Sequence, residues 1–172
     1  MIQYIFGDGK GKTTSAIGSA IRMAGIGKSV LITQFYKNND SSEVQVLKSI
    51  KNIEYVSQTM SFTLFEDNEE VLKKLSDSYV NLLKGIIDKS NEKEYGMIVL
   101  DEFQYLYEKS FSDLEKIKIK KWLKDVSINT EVVITGHSIN EELLILSDYV
   151  SEIKKIKHPY DKGIDARKGV EY

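Results

Sequence analysis

The run Gly7-Asp8-Gly9-Lys10-Gly11-Lys12-Thr13-Thr14 packs glycine, lysine and threonine into one short stretch. Residues of these types can close around a phosphate. Glycines let backbone N–H groups converge without side chains in the way, and a helix starting there adds unpaired donors and a favourable dipole. Lys12 would neutralise phosphate oxygens, and the Thr13 hydroxyl would reach a magnesium ion. Lys10 and Thr14 add a second cation and a second hydroxyl to the stretch. The strict phosphate-loop pattern asks for glycine five residues before Gly11, where Phe6 stands. On residue types alone, a Gly/Lys-rich turn that merely joins two elements stays open as the other account.

A second group of interest is Asp101-Glu102, which ends the apolar run Met97-Ile98-Val99-Leu100. In phosphate-loop proteins an acid at such a strand end faces the loop and holds magnesium, directly or through water. Its neighbour, Glu102, can polarise a water or extend the metal shell. Acids also begin loops simply because they are soluble, so the pair gains weight only from the loop beside it.

Both groups need a sheet to hold them. Ile2–Phe6 reads as a short strand, and Lys12–Ala24 as a helix whose small Ala16, Gly18 and Ala20 permit close packing. Ser29–Phe35 is β-rich and continuously apolar, as a strand covered on both faces should be. Ser42 with Gln45 resembles a capping box for a helix through Ile50, followed by a weaker strand at Ile53–Ser57. After irregular Gln58–Asn68, a long helix carries Val71, Leu72, Leu75, Tyr79, Leu82, Leu83 and Ile86 on one face. Met97–Leu100 is a buried strand. Ser112–Glu115 caps a helix that packs Ile119, Trp122, Leu123 and Val126. Glu131–Thr135 is a strand, Ser138–Glu141 caps a short helix, and Tyr149–Ile156 is a last strand. Alternation of this kind predicts right-handed crossovers and a mainly parallel sheet. The expectation is one α/β domain over residues 1–172, three layers thick, with its first functional loop at the N-terminus.

Composition narrows the chemistry further. The 172 residues carry 24 Lys+Arg against 26 Asp+Glu, a net charge of −2, which argues against nucleic-acid binding through a broad basic surface. With no cysteine, disulfide scaffolds, thiolate zinc sites and cysteine nucleophiles are excluded. His137 and His158 cannot by themselves close a structural zinc site. No apolar run approaches a membrane span and no charged-then-apolar leader precedes the first strand, so a cytoplasmic protein is expected.

Taken with three further stretches, the loop and the acidic pair resemble the ATP:corrinoid adenosyltransferases, which implies a RecA-like phosphate-loop nucleotide-binding fold with a mainly parallel sheet. That family's loop is similar to Gly7–Thr14, with a non-glycine residue at the position of Phe6 and asparagine where Asp8 stands. Thr33-Gln34-Phe35 followed by Lys37 resembles its Val-Gln-Phe motif and lysine. Thr135-Gly136 resembles its Thr-Gly-Arg, with His137 in place of arginine. The stretch 157–172 resembles its C-terminal signature almost throughout; without the family it reads as a solvated terminus. Phe62-Thr63-Leu64-Phe65 resembles a Phe-Thr-Trp segment, with Leu64 where tryptophan is usual and Phe65 as a substitute; on residue types alone it reads equally as a core aromatic cluster under a loop.

The resemblance implies transfer of the 5′-deoxyadenosyl group of ATP to the cobalt(I) of a reduced corrinoid, releasing triphosphate. It implies ATP bound by Gly7, Asp8, Gly9, Lys10, Gly11, Lys12, Thr13, Thr14 and Gln34, and Mg2+ held by Thr13, Asp101 and Glu102. Phe62 and Leu64 would lie against the corrin ring, where the family's aromatics displace the lower axial ligand and ease reduction of cobalt(II). Lys12, Thr13 and Phe62 are the residues expected to act in the reaction. A reduced flavoprotein as electron donor and a homodimer are implied as well; Lys154, Lys155 and Lys157 would be a docking patch or, more simply, a solvated edge. The alternatives are a RecA-like ATPase or nucleotide-binding switch, and a nucleoside kinase suggested by Asp101-Glu102-Phe103-Gln104. Many such kinases carry a cysteine-ligated zinc, for which this chain has no ligands.

Overall fold

Two apolar runs, Val30–Gln34 (β2) and Met97–Asp101 (β4), are buried at every position, which places them mid-sheet with cover on both faces. The computed structural model describes residues 1–37, 41–58 and 69–172, with the backbone alone described at 69–72. Phe62, Leu64 and Phe65 lie outside the described residues. The other strands are β1 (Ile2–Phe6), β3 (Ile53–Val56), β5 (Glu131–Thr135) and β6 (Tyr149–Glu152). The helices are α1 (Lys12–Gly25), α2 (Ser42–Ser49), α3 (Glu69–Glu92), α4 (Phe103–Lys109), α5 (Asp113–Val126) and α6 (Glu141–Leu146). A single 3₁₀ turn, Pro159–Lys162, follows β6.

The strands run in the order β3-β2-β4-β5-β1-β6, and every pairing is parallel. Parallel neighbours need crossovers, and the helices supply them on both faces. On one face α1 buries Ala16, Ala20 and Ala24, joined by Leu47 of α2, against Val30, Ile32, Met97 and Val99. On the other face Leu83 and Ile86 of α3, Phe103 and Tyr107 of α4, and Ile119 and Leu123 of α5 meet Leu31, Ile98 and Ile134. The three layers expected from the alternation are therefore present. Register matters most at the carboxyl ends, where Gln34 stands beside Asp101 and Ile5 beside Thr135. Ligands of open parallel sheets bind along that edge.

Several local expectations are corrected. Gly18 is exposed and has open space around it, and the third small residue at the buried helix face is Ala24. The fourfold spacing of Ala16, Ala20 and Ala24 keeps them on one side of α1, whereas Gly18 is rotated away. The cap of α2 is Ser41 rather than Ser42, and no side-chain cap bond forms; the Ser42 hydroxyl instead donates to the Tyr172 carbonyl at 3.1 Å. At α6 the cap is Asn140, whose side chain accepts from the Leu143 N–H at 3.0 Å. Ser138 lies too far ahead of Glu141 to cap it; its N–H donates to Gln104 and its carbonyl accepts from the Tyr4 hydroxyl. The capping box of Ser112 and Glu115 is present as expected. The last strand ends at Glu152, before Ile156.

Candidate active site

The loop after β1 is shaped by what presses on it. Gly7 has φ +124° and Gly11 φ +121°, conformations that side-chain-bearing residues rarely adopt. The chain leaving β6 runs directly behind: the Gly9 N–H donates to the Ile153 carbonyl at 2.8 Å, and the Ile153 N–H to the Phe6 carbonyl at 2.8 Å. A Cβ at Gly9 would sit 2.8 Å from the Ile153 oxygen. The Asp8 carboxylate accepts from the Lys155 N–H at 2.9 Å, a bond that holds its pKa below the usual carboxylate value. Lys12 folds back over the loop and donates to the Gly9 carbonyl at 3.1 Å.

Residues 8–14 line a cavity of about 630 Å3. Lys37, Glu43 and Glu102 form more of its wall, and the C-terminal stretch closes another side with His158, Ala166 and Glu171. The tail is thus folded against the loop rather than free. Gly163 (φ +72°) and Gly169 (φ +76°) let it turn, and Arg167 pairs with Glu171 at 3.0 Å. No tail residue stood among the expected site residues, although the stretch had the most distinctive motif.

Asp101 is 1% exposed and accepts from several donors at once. Thr13 Oγ1 lies 3.0 and 3.1 Å from its two oxygens, Thr135 Oγ1 2.7 Å, Gln34 Nε2 3.1 Å and Lys37 Nζ 2.9 Å. Lys37 Nζ also donates to Thr13 Oγ1 at 2.7 Å. A buried carboxylate needs such partners, because an unpaired charge inside a protein is costly. The strand order explains the gathering: β5 lies between β1 and β4, so Thr135 falls between the loop and Asp101. Gln34 stands behind Asp101, held also by Glu43 at 3.3 Å and by the Tyr55 hydroxyl at 2.9 Å. It orients the carboxylate and is not part of the cavity wall.

Glu102 takes the left-handed conformation (φ +59°) at the start of α4, and its N–H donates to Thr135 Oγ1 at 2.8 Å. Burial holds its carboxyl above the ordinary value, and Asp101 pushes the same way against Lys37 and Lys12. Thr135, Glu43, Tyr55 and Gln104 were not expected at the site. Gln104, 2% exposed, accepts from the N–H groups of His137 (3.1 Å) and Ser138 (3.3 Å) and so ties α4 to the loop after β5. A side chain on Gly136 would collide with it. Of the expected residues, then, loop, Asp101, Glu102 and Gln34 converge at one end of the sheet.

A Gly/Lys-rich turn between a parallel strand and a helix, facing a buried strand-end aspartate, defines an α/β phosphate-loop nucleotide-binding protein. Comparison with known proteins narrows this class. The family described as ATP:corrinoid adenosyltransferase BtuR/CobO/CobP matches residues 1–172, and the chain belongs to it. A "Corrinoid adenosyltransferase" of Escherichia coli is 30% identical over 167 residues, covering 96% of this chain and 82% of the relative. The "Corrinoid adenosyltransferase CobA" of Salmonella typhimurium is 31% identical over 166 residues, again 96% and 82%. Among solved structures, the Legionella pneumophila ATPase DotB aligns with 84% of this chain and 33% of its own, at 15% identity and a TM-score of 0.38. Membership makes ATP and a corrinoid the substrates and adenosylation the activity.

Proposed function

We propose that the cavity beside the loop receives the triphosphate of ATP and that the chain holds it while carbon 5′ is presented to the cobalt(I) of a reduced corrinoid. A new cobalt–carbon bond forms with the cobalt electron pair. The bond from carbon 5′ to the oxygen of the triphosphate breaks, and triphosphate leaves with the electron pair of that carbon–oxygen bond. Cobalt(I) is itself the nucleophile, so no general base is needed. The protein's share is positioning and charge. Lys12, now curled onto the Gly9 carbonyl, would turn to the phosphates, with Lys10 and the Thr14 hydroxyl beside it.

The residues present fit a magnesium ion. Thr13 Oγ1 and the Asp101 carboxylate offer hard oxygens 3.0 Å apart, and the ammonium of Lys37 already bridges them as a cation. Magnesium suits a site of one or two carboxylates completed by substrate phosphates, and Glu102 stands next in line. When bound it supplies charge for the leaving triphosphate. Phe62 and Leu64 would lie on the corrin side, favouring the ligand-displaced cobalt(II) that accepts an electron more easily. The donor would be a reduced flavoprotein. A homodimer in the cytoplasm completes the reading; among the described residues no helix is long and apolar enough to cross a membrane.

The observation that carries this reading is the convergence of residues 8–14, Lys37 and Glu102 on one cavity above Asp101. Incubation with ATP, Mg2+ and chemically reduced corrinoid should give triphosphate and a light-sensitive cobalt–carbon product in equal amounts. Release of inorganic phosphate without alkylated corrinoid would instead favour the plain ATPase alternative.

A further inference from the structure

The Lys37 ammonium stands where the metal would stand. It donates to Thr13 Oγ1 at 2.7 Å and lies 2.9 Å from Asp101 Oδ2, while the Thr13 hydroxyl spends its own proton on Asp101. The lone pair of Thr13 that accepts from Lys37 is the one a metal would use. A magnesium ion must come within about 2.1 Å of the oxygens it takes directly. Two cations sharing that gap would sit only about 3 Å apart with little water between them, and their repulsion there is severe. The carboxylate is 1% exposed, so solvent cannot satisfy it if Lys37 leaves with nothing in exchange.

We infer that Lys37 is a positioning residue that keeps Asp101 and Thr13 aligned in the nucleotide-free protein and excludes metal from them until a triphosphate arrives. This rests on the metal reading given above. With the triphosphate, enough negative charge enters for both cations: the metal takes Thr13 and Asp101, and the ammonium moves to phosphate oxygens. Lys37 has the room to do so, since its side chain is 25% exposed and forms part of the cavity wall. Metal and nucleotide then bind as one unit, and by linkage each strengthens the other. Bare metal ions at cellular concentrations do not occupy the site.

Binding of Mn2+ to the full chain without nucleotide, read by electron paramagnetic resonance, tests this. Lys37→Met and Lys37→Gln should each bind Mn2+ roughly tenfold or more tightly than the unaltered chain, whereas Lys37→Arg, which keeps the charge, should not. Adding Asp101→Asn to Lys37→Met should abolish the gain. Unchanged Mn2+ affinity in both neutral variants, with ATP-dependent Mn2+ binding still sensitive to Asp101→Asn, overturns the role of Lys37 and leaves the metal reading standing. A gain indifferent to Asp101→Asn puts the metal elsewhere and overturns both. Should the neutral variants fail to fold, the unaltered chain decides: the 15N resonance of the Lys37 ammonium should shift with Mg2+ and ATP together and stay still with Mg2+ alone. A shift with Mg2+ alone overturns the proposal.

Discussion

The Gly9 N–H donates to the Ile153 carbonyl at 2.8 Å, so the phosphate loop rests on backbone that lies far away in sequence. No space remains for a methyl group between them. In Gly9→Ala the new Cβ would meet the Ile153 oxygen and the Lys154 carbonyl carbon, each at 2.8 Å. Backbone cannot yield as a side chain tip does, so the expected cost is about 1–3 kcal/mol of stability together with weaker ATP binding. Gly11→Ala meets no atom within 4 Å and suffers only its φ of +121°. Thermal unfolding and ATP calorimetry on the two variants check the contrast. Equal behaviour of Gly9→Ala and the parent chain in both would remove Ile153 as the support.

Lys12→Ala should leave the fold intact and weaken ATP binding. Among the described residues its one hydrogen bond is to the Gly9 carbonyl at 3.1 Å, on the loop itself, so the core does not depend on it. A lost charge-assisted phosphate contact is worth about 1.5–3 kcal/mol. Circular dichroism and an ATP titration read the two halves separately. A folded variant with undiminished ATP affinity and adenosylation would take the loop lysine out of the mechanism.

The carboxylate of Glu54 ties β3 to the end of α3 by accepting from Lys89 at 2.6 Å and the Tyr95 hydroxyl at 2.7 Å. These partners, Lys89 first, hold its pKa below the ordinary 4.5. A depressed carboxyl stabilises the fold above its unfolded value, and that contribution disappears as pH falls through the lower folded value. Solvent reaches both ionic partners, so Glu54→Gln should cost at most about 1 kcal/mol near pH 7. Urea unfolding should show the difference between the two chains shrinking as pH falls below the ordinary range of the group. A difference that persists there would point to packing in place of charge.

Phe62 can be separated from general damage by the choice of reductant. If it helps displace the lower ligand, Phe62→Ala should fail mainly with a protein-borne donor that must reduce cobalt(II). With cobalt(I) prepared beforehand, most activity should return, because reduction is bypassed. Leu64→Trp, restoring the second aromatic, should raise the rate with the weak donor. Equal loss for Phe62→Ala under both conditions would place that ring in substrate binding or packing.

The phosphate loop and the strand end at Asp101 were legible in the sequence because their chemistry is local. Glycines, a lysine and a threonine in register create a phosphate cradle wherever strand meets helix, and an acid after an apolar run must emerge at a sheet edge. The long amphipathic α3 and the capping box of α5 were readable for the same reason, since periodicity and capping act within a few turns. Helix α4 escaped notice. It is only 7 residues long and buries Phe103, Gln104, Leu106 and Tyr107, so no clean polar face marks it. Only the tertiary structure decided what surrounds Asp101. Thr135 and Gln34 come from two different strands and meet at the one carboxylate, while Tyr55, from a third strand, holds Gln34 from behind; parallel register brings them together. It also decided that Lys37 rests on Asp101, and that the tail, largely solvent-exposed, lines one side of the cavity beside the loop. Such contacts join residues far apart along the chain; the residue types permit them, but strand order and packing select which are made.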